Sequence, residues 1–369
     1  MKIRRFVYLI IVLAALTLTG CWDMYEISDH TIITLVGVDK VEDKFKLFSE
    51  YRPVHAQIPD TKNDSLKASN ILIGEGKNFE EARHSYLRKN PDDVFLGAVR
   101  AVVFSDRYAK NGIEEYLNRI RGIGEYRKTI SLFTTSEELV DIFDAKALSI
   151  DNVGFNIEHL SSQMVKNGID NEKTIAEIIE DSQVKNTGYL LDNLDIVKKG
   201  IEVTGYSVFK DNKKVGKISV DKMKGNNYIL IKDAEAVYTN DIEGVTATLT
   251  AKTENKKIAV YYDNKDITFN IKISLKCEIL NTSKLIKIED EQTKELEKKI
   301  SEKVSDDISQ AIETSKTEYG CDYLYFYKYF RAKYNSDFKN MNWNEKYKEA
   351  KFNIEVKAKV NPSNMINFK

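Results

Sequence analysis

The sequence is poor in the residues that build metal centres and disulfide frameworks. Its 369 residues include three cysteines and four histidines, and no two histidines have a metal-ligand spacing. Cys277 and Cys321 are too few for a disulfide framework, and neither belongs to a Cys-x-x-Cys pair. Because Cys277 lies on the apolar face of an alternating segment, we expect a buried free thiol there rather than a bridge to Cys321. We predict no cofactor and no metal.

Signatures of catalysis and of nucleic-acid binding are also missing. The chain has no Gly-x-Ser-x-Gly, His-Glu-x-x-His or P-loop pattern. Gly74-Glu75-Gly76 is a lone Gly-x-Gly, which we interpret as a turn. With 56 basic and 57 acidic residues, no basic excess is present to bind nucleic acid. We therefore predict a non-catalytic protein, although two carboxylates paired only by the fold would escape a motif search, and an exported hydrolase stays an open alternative.

A short hydrophobic segment stands at the N-terminus. A basic start in residues 2–5 precedes an apolar run over residues 6–18, shorter than the roughly 20 residues that a spanning helix needs. The run ends in Leu18-Thr19-Gly20-Cys21, small residues followed by cysteine. This order is typical of a lipoprotein signal peptide. We predict that residues 1–20 are removed and that Cys21 carries the lipid, whereas an uncleaved anchor would also tether the chain to a membrane.

The region that follows mixes α and β patterns. Residues 32–38 are nearly continuously apolar and predict a buried strand, with residues 45–51 as its hairpin partner. Residues 52–67 read as a loop, and Ser136 and Asn171 are candidate helix N-caps. Further predicted elements are strands at 71–73, 97–104 and 129–135 and helices around 79–87, 113–120, 153–164 and 175–179.

The pattern changes near 192–200 from helical spacing to long alternating strands, which predicts a domain boundary. A hairpin is expected at 203–220 and a half-buried strand at 267–279. Within 288–316 apolar residues recur every fourth position, as in a helix that lays one stripe on a sheet. We predict an α+β, multi-domain fold, in which the C-terminal antiparallel sheet is covered on one face by this helix and an aromatic-rich helix. The predicted parts are a signal peptide (1–20), an N-terminal domain of one or two subdomains (21–198) and a C-terminal domain (201–366). The C-terminal domain includes the aromatic helix (321–333) and a closing strand (352–360).

Eight aromatic residues crowd into residues 319–334. Core packing explains such a segment, with the tyrosine hydroxyls reaching polar surroundings. A protein interface is the alternative, because tyrosine is enriched in interface cores. The eight residues are Tyr319, Tyr323, Tyr325, Phe326, Tyr327, Tyr329, Phe330 and Tyr334.

Four segments carry a resemblance when they are taken in order. They are Gly20-Cys21-Trp22-Asp23 with Glu26-Ile27; the strand 97–104 with Ala109, Gly112-Ile113 and Arg119; Gly205-Tyr206-Ser207-Val208-Phe209-Lys210 with Val215-Gly216; and Asp322 with its aromatic run and Trp343. Together they resemble the C-subunit family of bacterial spore germination receptors, the GerAC-like or Ger(x)C lipoproteins. The chain departs from that pattern at Ala98, where histidine is frequent, at Tyr325, in a turn that usually contains glycine, and in its tail.

The resemblance implies a lipid-anchored, non-catalytic subunit of a spore nutrient germinant receptor. Its partners would be the integral-membrane A and B subunits, and its place the outer face of the spore inner membrane in a Gram-positive bacterium. A membrane-anchored solute-binding lipoprotein of a transporter is the alternative, which would need a ligand pocket between lobes. The site residues are Cys21 for lipid attachment and, as motif residues that are candidates for an interface, Trp22, Asp23, Glu26, Asp322 and Trp343.

Overall fold

The computed structural model is built on two β-sheets. The first sheet contains nine strands and the second contains four. The structure describes residue 4 and residues 30–53, 70–88, 90, 93–145, 152–171, 173–198, 200–263, 265–284 and 288–361. The strands of the first sheet are β1 (His30–Val41), β2 (Lys44–Pro53), β3 (Asn70–Gly76), β4 (Asp93–Phe95), β5 (Ala101–Ser105), β6 (Ser131–Thr135), β7 (Gly188–Val197), β8 (Gly200–Lys210) and β9 (Lys213–Ser219). Those of the second are β10 (Glu235–Ile242), β11 (Val245–Tyr262), β12 (Ile267–Thr282) and β13 (Lys351–Asn361). The helices are α1 (Phe79–Leu87), α2 (Asp106–Asn111), α3 (Glu114–Gly122), α4 (Leu139–Asp144), α5 (Val153–Lys166), α6 (Ile175–Ser182), α7 (Met223–Leu230), α8 (Asp290–Glu313), α9 (Phe326–Lys333), α10 (Asn335–Asn340) and α11 (Trp343–Glu349).

The first sheet has a parallel centre and antiparallel margins. Its order is β3-β2-β1-β5-β6-β7-β8-β9, with β4 beside β1, and the pairs β1–β5, β5–β6 and β6–β7 are parallel. Helical crossovers cover both faces, so that Val102 faces one hydrophobic cluster and Val103 the other. Burial on both faces explains why the central strands are continuous apolar runs rather than alternating ones. The mixed α+β class predicted from the sequence is confirmed.

The hairpin predicted at 203–220 forms, but it belongs to the first sheet. Strand β8 pairs with β7 and β9 pairs with β8, all antiparallel. The first sheet therefore continues past the boundary predicted near 192–200, a range that covers the second half of β7 and the turn to β8. The two-domain division at that turn stays a prediction.

The second sheet and its covering helix follow the sequence pattern closely. Strand β12 alternates between buried and accessible positions from Ile267 to Ile279, as predicted. Helix α8 buries the predicted stripe against this sheet, because its period of four keeps the apolar residues on one side. The buried stripe consists of Leu296, Ile300, Val304, Ile308 and Ile312.

One strand pair of the second sheet corrects the antiparallel prediction. The pairs β10–β11 and β11–β12 are antiparallel, but β12 and β13 are parallel. The reason is the connection, because the described residues between 283 and 350 include four α-helices that return the chain to the starting end of β12. Alternation of residue type does not encode strand direction, so the sequence could not distinguish the two.

Charged residues of α8 contact both edges of the second sheet. Lys299 and Lys303 donate to the carbonyl oxygens of Asp241 and Thr239 on β10, at 2.6 and 2.7 Å. On the other edge, the N–H of Val360 in β13 donates to Glu297 at 3.0 Å. Exposed strand edges are templates for unwanted pairing, and these side chains occupy both.

Several local predictions are wrong. Ser136 does not cap α4, which begins at Leu139 without a side-chain cap. Helix α6 is capped by Thr174 rather than Asn171, through a capping box with Glu177. The strand predicted at 97–104 begins only at 101, since residues 97–98 form a turn. The loop predicted at 52–67 lies outside the described residues, apart from positions 52–53 at the end of β2.

Gly74 lies within strand β3 rather than in a turn. A Cβ atom built on Gly74 would lie 2.0 Å from the carbonyl oxygen of Ala82 in α1. The turn interpretation of Gly74-Glu75-Gly76 is therefore wrong, and glycine is required here because a helix backbone approaches the strand closely.

Candidate functional site in the aromatic C-terminal core

Two predicted site residues meet in the fold. The indole Nε1–H of Trp343, at the start of α11, donates to Oδ2 of Asp322 at 3.0 Å. Asp322 is 0 % exposed and Trp343 is 1 % exposed. Both side chains thus lie in the protein interior, and their predicted role at an interface stays a prediction. The other four predicted residues, Cys21, Trp22, Asp23 and Glu26, lie outside the described residues.

The Asp322 carboxylate also satisfies the first turn of α9. It accepts the backbone N–H of Phe326 at 3.1 Å and that of Tyr327 at 2.7 Å. These groups have no partner within the helix, and a negative charge is favoured at this end. Burial nevertheless dominates and raises the pKa of Asp322 to about 6, against the opposing effect of the hydrogen bonds.

The backbone at Asp322 connects this core with the first sheet. Its carbonyl oxygen accepts the N–H of Gly188, the first residue of β7, at 3.2 Å. A Cβ atom on Gly188 would lie 2.8 Å from Sγ of Cys321. A larger residue at position 188 would therefore push the C-terminal segment away from β7.

Tyr325 has an unusual backbone conformation. It precedes α9 with a φ of 62°, in the left-handed region that disfavours side chains with a Cβ. This is the turn in which the family resemblance leads one to expect glycine. The Tyr325 ring is buried and contacts two cations, with Nζ of Lys173 at 3.5 Å and Nζ of Lys328 at 4.2 Å from its centroid. Cation–π attraction at a desolvated site offsets part of the backbone cost.

Both lysines also pair with one buried carboxylate, that of Asp181 near the end of α6. Lys173 lies 2.7 Å and Lys328 3.0 Å from it, and the Tyr327 hydroxyl donates at 3.2 Å. Burial acts to raise the pKa of Asp181, but the lysines outweigh it and hold that pKa below its usual range. Burial lowers the pKa of Lys173 to about 8.

Sequence reasoning missed this ion cluster. Asp181 and Tyr327 are 146 positions apart, a separation over which no motif could join them. One signal was present, because Asp181 stands three positions after Ile178 on the inner face of α6. A carboxylate in an apolar stripe points to a buried partner.

Two family models match the chain, one for each half. "Spore germination protein N-terminal domain" matches residues 23–191, and "Spore germination B3/ GerAC like, C-terminal" matches residues 204–364. The chain belongs to the GerAC-like family of spore germination proteins. The resemblance stated from the sequence is thereby confirmed.

Two known proteins are similar to this GerAC-like chain. It is similar to "Spore germination protein KC" of Bacillus subtilis (strain 168), with 23 % identity over 241 residues. That match covers 62 % of this chain and 55 % of the relative, so it spans only about half of that protein. The crystal structure of the GerBC protein shares the fold, with a TM-score of 0.55 and 16 % identity over 88 % of this chain and 96 % of that one.

The aromatic run of this GerAC-like chain is largely core. Of its eight aromatic residues, Tyr323, Tyr325, Phe326, Tyr327 and Phe330 are buried, Tyr319 and Tyr334 are half-buried, and Tyr329 is exposed. The helix predicted over 321–333 begins only at Phe326, because Asp322 and Tyr325 form the turn that starts it. The geometry favours core packing over an interface for the buried members.

Both cysteines in the described part of the chain lie in the protein interior. Cys277 and Cys321 are both buried free thiols, as predicted for Cys277, and burial raises the pKa of each to about 12. Across the described ranges, no three side chains of His, Cys, Asp or Glu form a metal-binding group. None of the helices in those ranges is long and apolar enough to cross a bilayer.

Proposed function

We propose that this GerAC-like chain is a lipid-anchored, non-catalytic subunit of a spore nutrient germinant receptor. The observation that carries the proposal is the pair of family domains, which together account for residues 23–191 and 204–364. The subunit would act in receptor assembly and germination signalling at the outer face of the spore inner membrane. Its partners would be the integral-membrane A and B subunits.

The anchor of the proposed subunit is Cys21. The residues before it have the charged start, the short apolar run and the small-residue site of a lipoprotein signal peptide. A diacylated cysteine carries two acyl chains, which suffice for stable attachment where a single chain is marginal. The polar segment up to His30 would then link the lipid to β1.

The buried contacts around Asp322 and Asp181 suit an assembly role. Asp322 bonds to Gly188 of β7, and Asp181 of α6 bonds to Lys328 of α9. Both contacts connect elements around the first sheet with the C-terminal aromatic core. A partner that docks on the C-terminal aromatic core would therefore contact a part of the protein that is bonded to β7 and α6.

Anchoring and receptor membership are tested separately. Cys21→Ala should move the protein from the spore membrane fraction to the soluble fraction, whereas Cys277→Ala, at a buried thiol, should stay with the membrane. Retention of Cys21→Ala in the membrane would contradict the anchor. Affinity purification of the tagged wild-type chain from detergent-solubilised spore membranes should recover two multi-spanning proteins; recovery of a transporter ATPase instead would contradict receptor membership.

A further inference from the structure

An apolar groove lies outside the aromatic core, between the end of α5, the region around α7 and the start of β10. It has a volume of about 530 Å³. Three of its lining side chains are large hydrophobics that stay accessible: Ile169 at 44 %, Val220 at 55 % and Val237 at 47 % exposure. Exposed apolar side chains that lie together mark binding surfaces, whereas single exposed apolar residues are normal on a protein surface.

The floor of the groove is buried and already satisfied. Met223, Tyr228 and Ala234 contribute buried apolar surface. Asn227 accepts the hydroxyl of Tyr206 at 2.7 Å, and its amide nitrogen donates to the carbonyl oxygen of Ile169. The floor therefore favours an aliphatic ligand group over a polar one.

The charge around the groove is positive. Lys166, Lys224 and Lys252 line it, against a single acid, Glu235. Lys252 pairs with Glu235 at 3.3 Å, and Lys224 donates to the carbonyl oxygen of Val237 at 2.8 Å. Lys166 is exposed and has no ion-pair partner within the described part of the chain.

From this combination we infer that the groove binds one anionic amphiphile, with its aliphatic body over the floor and its anionic head at Lys166. The volume lies within the roughly 300–1,000 Å³ of ligand pockets, which are mostly apolar with a few polar groups at the margin. A cationic amphiphile would meet three lysines, and a sugar would leave the apolar floor unfilled. The occupant we infer is a free alkyl carboxylate, because a groove of about 530 Å³ suits a single alkyl chain. An anionic phospholipid of the bilayer shares the chemistry, and the experiment separates it from the free carboxylate.

The test measures hydrogen–deuterium exchange of the full-length chain in phosphatidylcholine nanodiscs. Decanoate should protect amides in 166–170 and 220–237, with an apparent affinity about tenfold tighter than that of octanoate, since each buried methylene contributes about 0.8 kcal/mol. In nanodiscs that contain phosphatidylglycerol, protection without added carboxylate would overturn the free carboxylate as the occupant and identify a bilayer lipid. Protection only on addition of decanoate supports the free carboxylate. The carboxylate arm does not depend on the proposed lipid anchor.

Matched variants separate charge from apolar contact. Lys166→Glu should weaken decanoate binding about fivefold, as expected for reversal of one exposed charge, while Lys294→Glu on α8 should not change it. Val237→Asp should abolish protection, while Val140→Asp, at a similarly exposed valine of α4, should not. Equal protection by decanol and decanoate, or no protection by either, would overturn the inference, as would protection that only an acidic peptide produces.

Discussion

The carboxylate of Asp322 and the indole of Trp343 act as one buried unit, joined by a 3.0 Å hydrogen bond with both side chains shielded from water. The same carboxylate holds the first turn of α9 through the N–H groups of Phe326 and Tyr327. One residue thus fixes where α9 begins and where α11 packs.

Trp343→Phe should lower the free energy of unfolding by about 3 kcal/mol. The variant loses a hydrogen bond to a charged group, worth roughly 1.5–3 kcal/mol, together with part of a packed ring system. Urea denaturation measures the effect, and Tyr329→Phe, at an exposed aromatic, should change stability by less than about 0.5 kcal/mol. In a double-mutant cycle with Asp322→Asn, strictly additive effects would show that the two residues are not coupled.

Stability should depend on pH through Asp322. The carboxyl binds its proton more tightly in the folded chain, with a pKa of about 6, than at its ordinary value of 3.8. Its contribution is therefore full below about pH 4 and is lost as the pH rises through 6, a loss of ~3 kcal/mol at ~1.36 kcal/mol per unit. The unfolding free energy of the wild type, minus that of Asp322→Asn, should fall between pH 4 and 7; a rise over that interval would contradict the assignment.

Local periodicity predicted the elements that depend on local sequence. The stripe of α8 and the alternation of β12 each repeat over many residues, so their burial could be predicted and was confirmed. The helix caps were less predictable, because several polar residues compete at each start; Thr174 rather than Asn171 has the glutamate three positions on that completes a capping box.

Contacts between segments that are far apart in the chain could not be predicted from the sequence. The parallel direction of β13, the addition of β8 and β9 to the first sheet, and the meeting of Asp181 with Lys328 all depend on where distant segments pack. Asp322 and Trp343 could be named from motif resemblance, but their mutual contact and complete burial could not.

The Asp181 ion cluster predicts an uneven response to mutation. Asp181→Asn should cost about 3 kcal/mol, because it leaves Lys173 buried without its counter-charge. Adding Lys173→Met should restore most of that loss, since an apolar side chain of similar length then fills the site. Thermal or urea unfolding of the two variants measures this, and a double variant less stable than Asp181→Asn would refute the charge explanation.

The lysines at the edge of β10 should protect against association. Lys299→Met with Lys303→Met frees the carbonyl oxygens of Asp241 and Thr239 and removes two charges from a strand edge. We expect little change in unfolding free energy but more self-association on light scattering as concentration rises. The matched control is Lys294→Met with Lys298→Met on the same helix; equal association of both pairs would attribute the effect to net charge alone.

Tyr325→Gly sets two opposing effects against each other. Glycine relieves a left-handed backbone conformation, which costs a residue with a Cβ roughly 1–2 kcal/mol. The variant also removes a buried ring, and truncation of a buried aromatic typically costs 3–5 kcal/mol. Lys173 and Lys328 in addition lose the ring that both contact. The loss of the buried ring should outweigh the relief of backbone strain, with a net destabilisation of about 2 kcal/mol on urea unfolding. A variant as stable as the wild type would mean that this chain tolerates the glycine expected from the family resemblance and that the tyrosine serves a purpose other than stability.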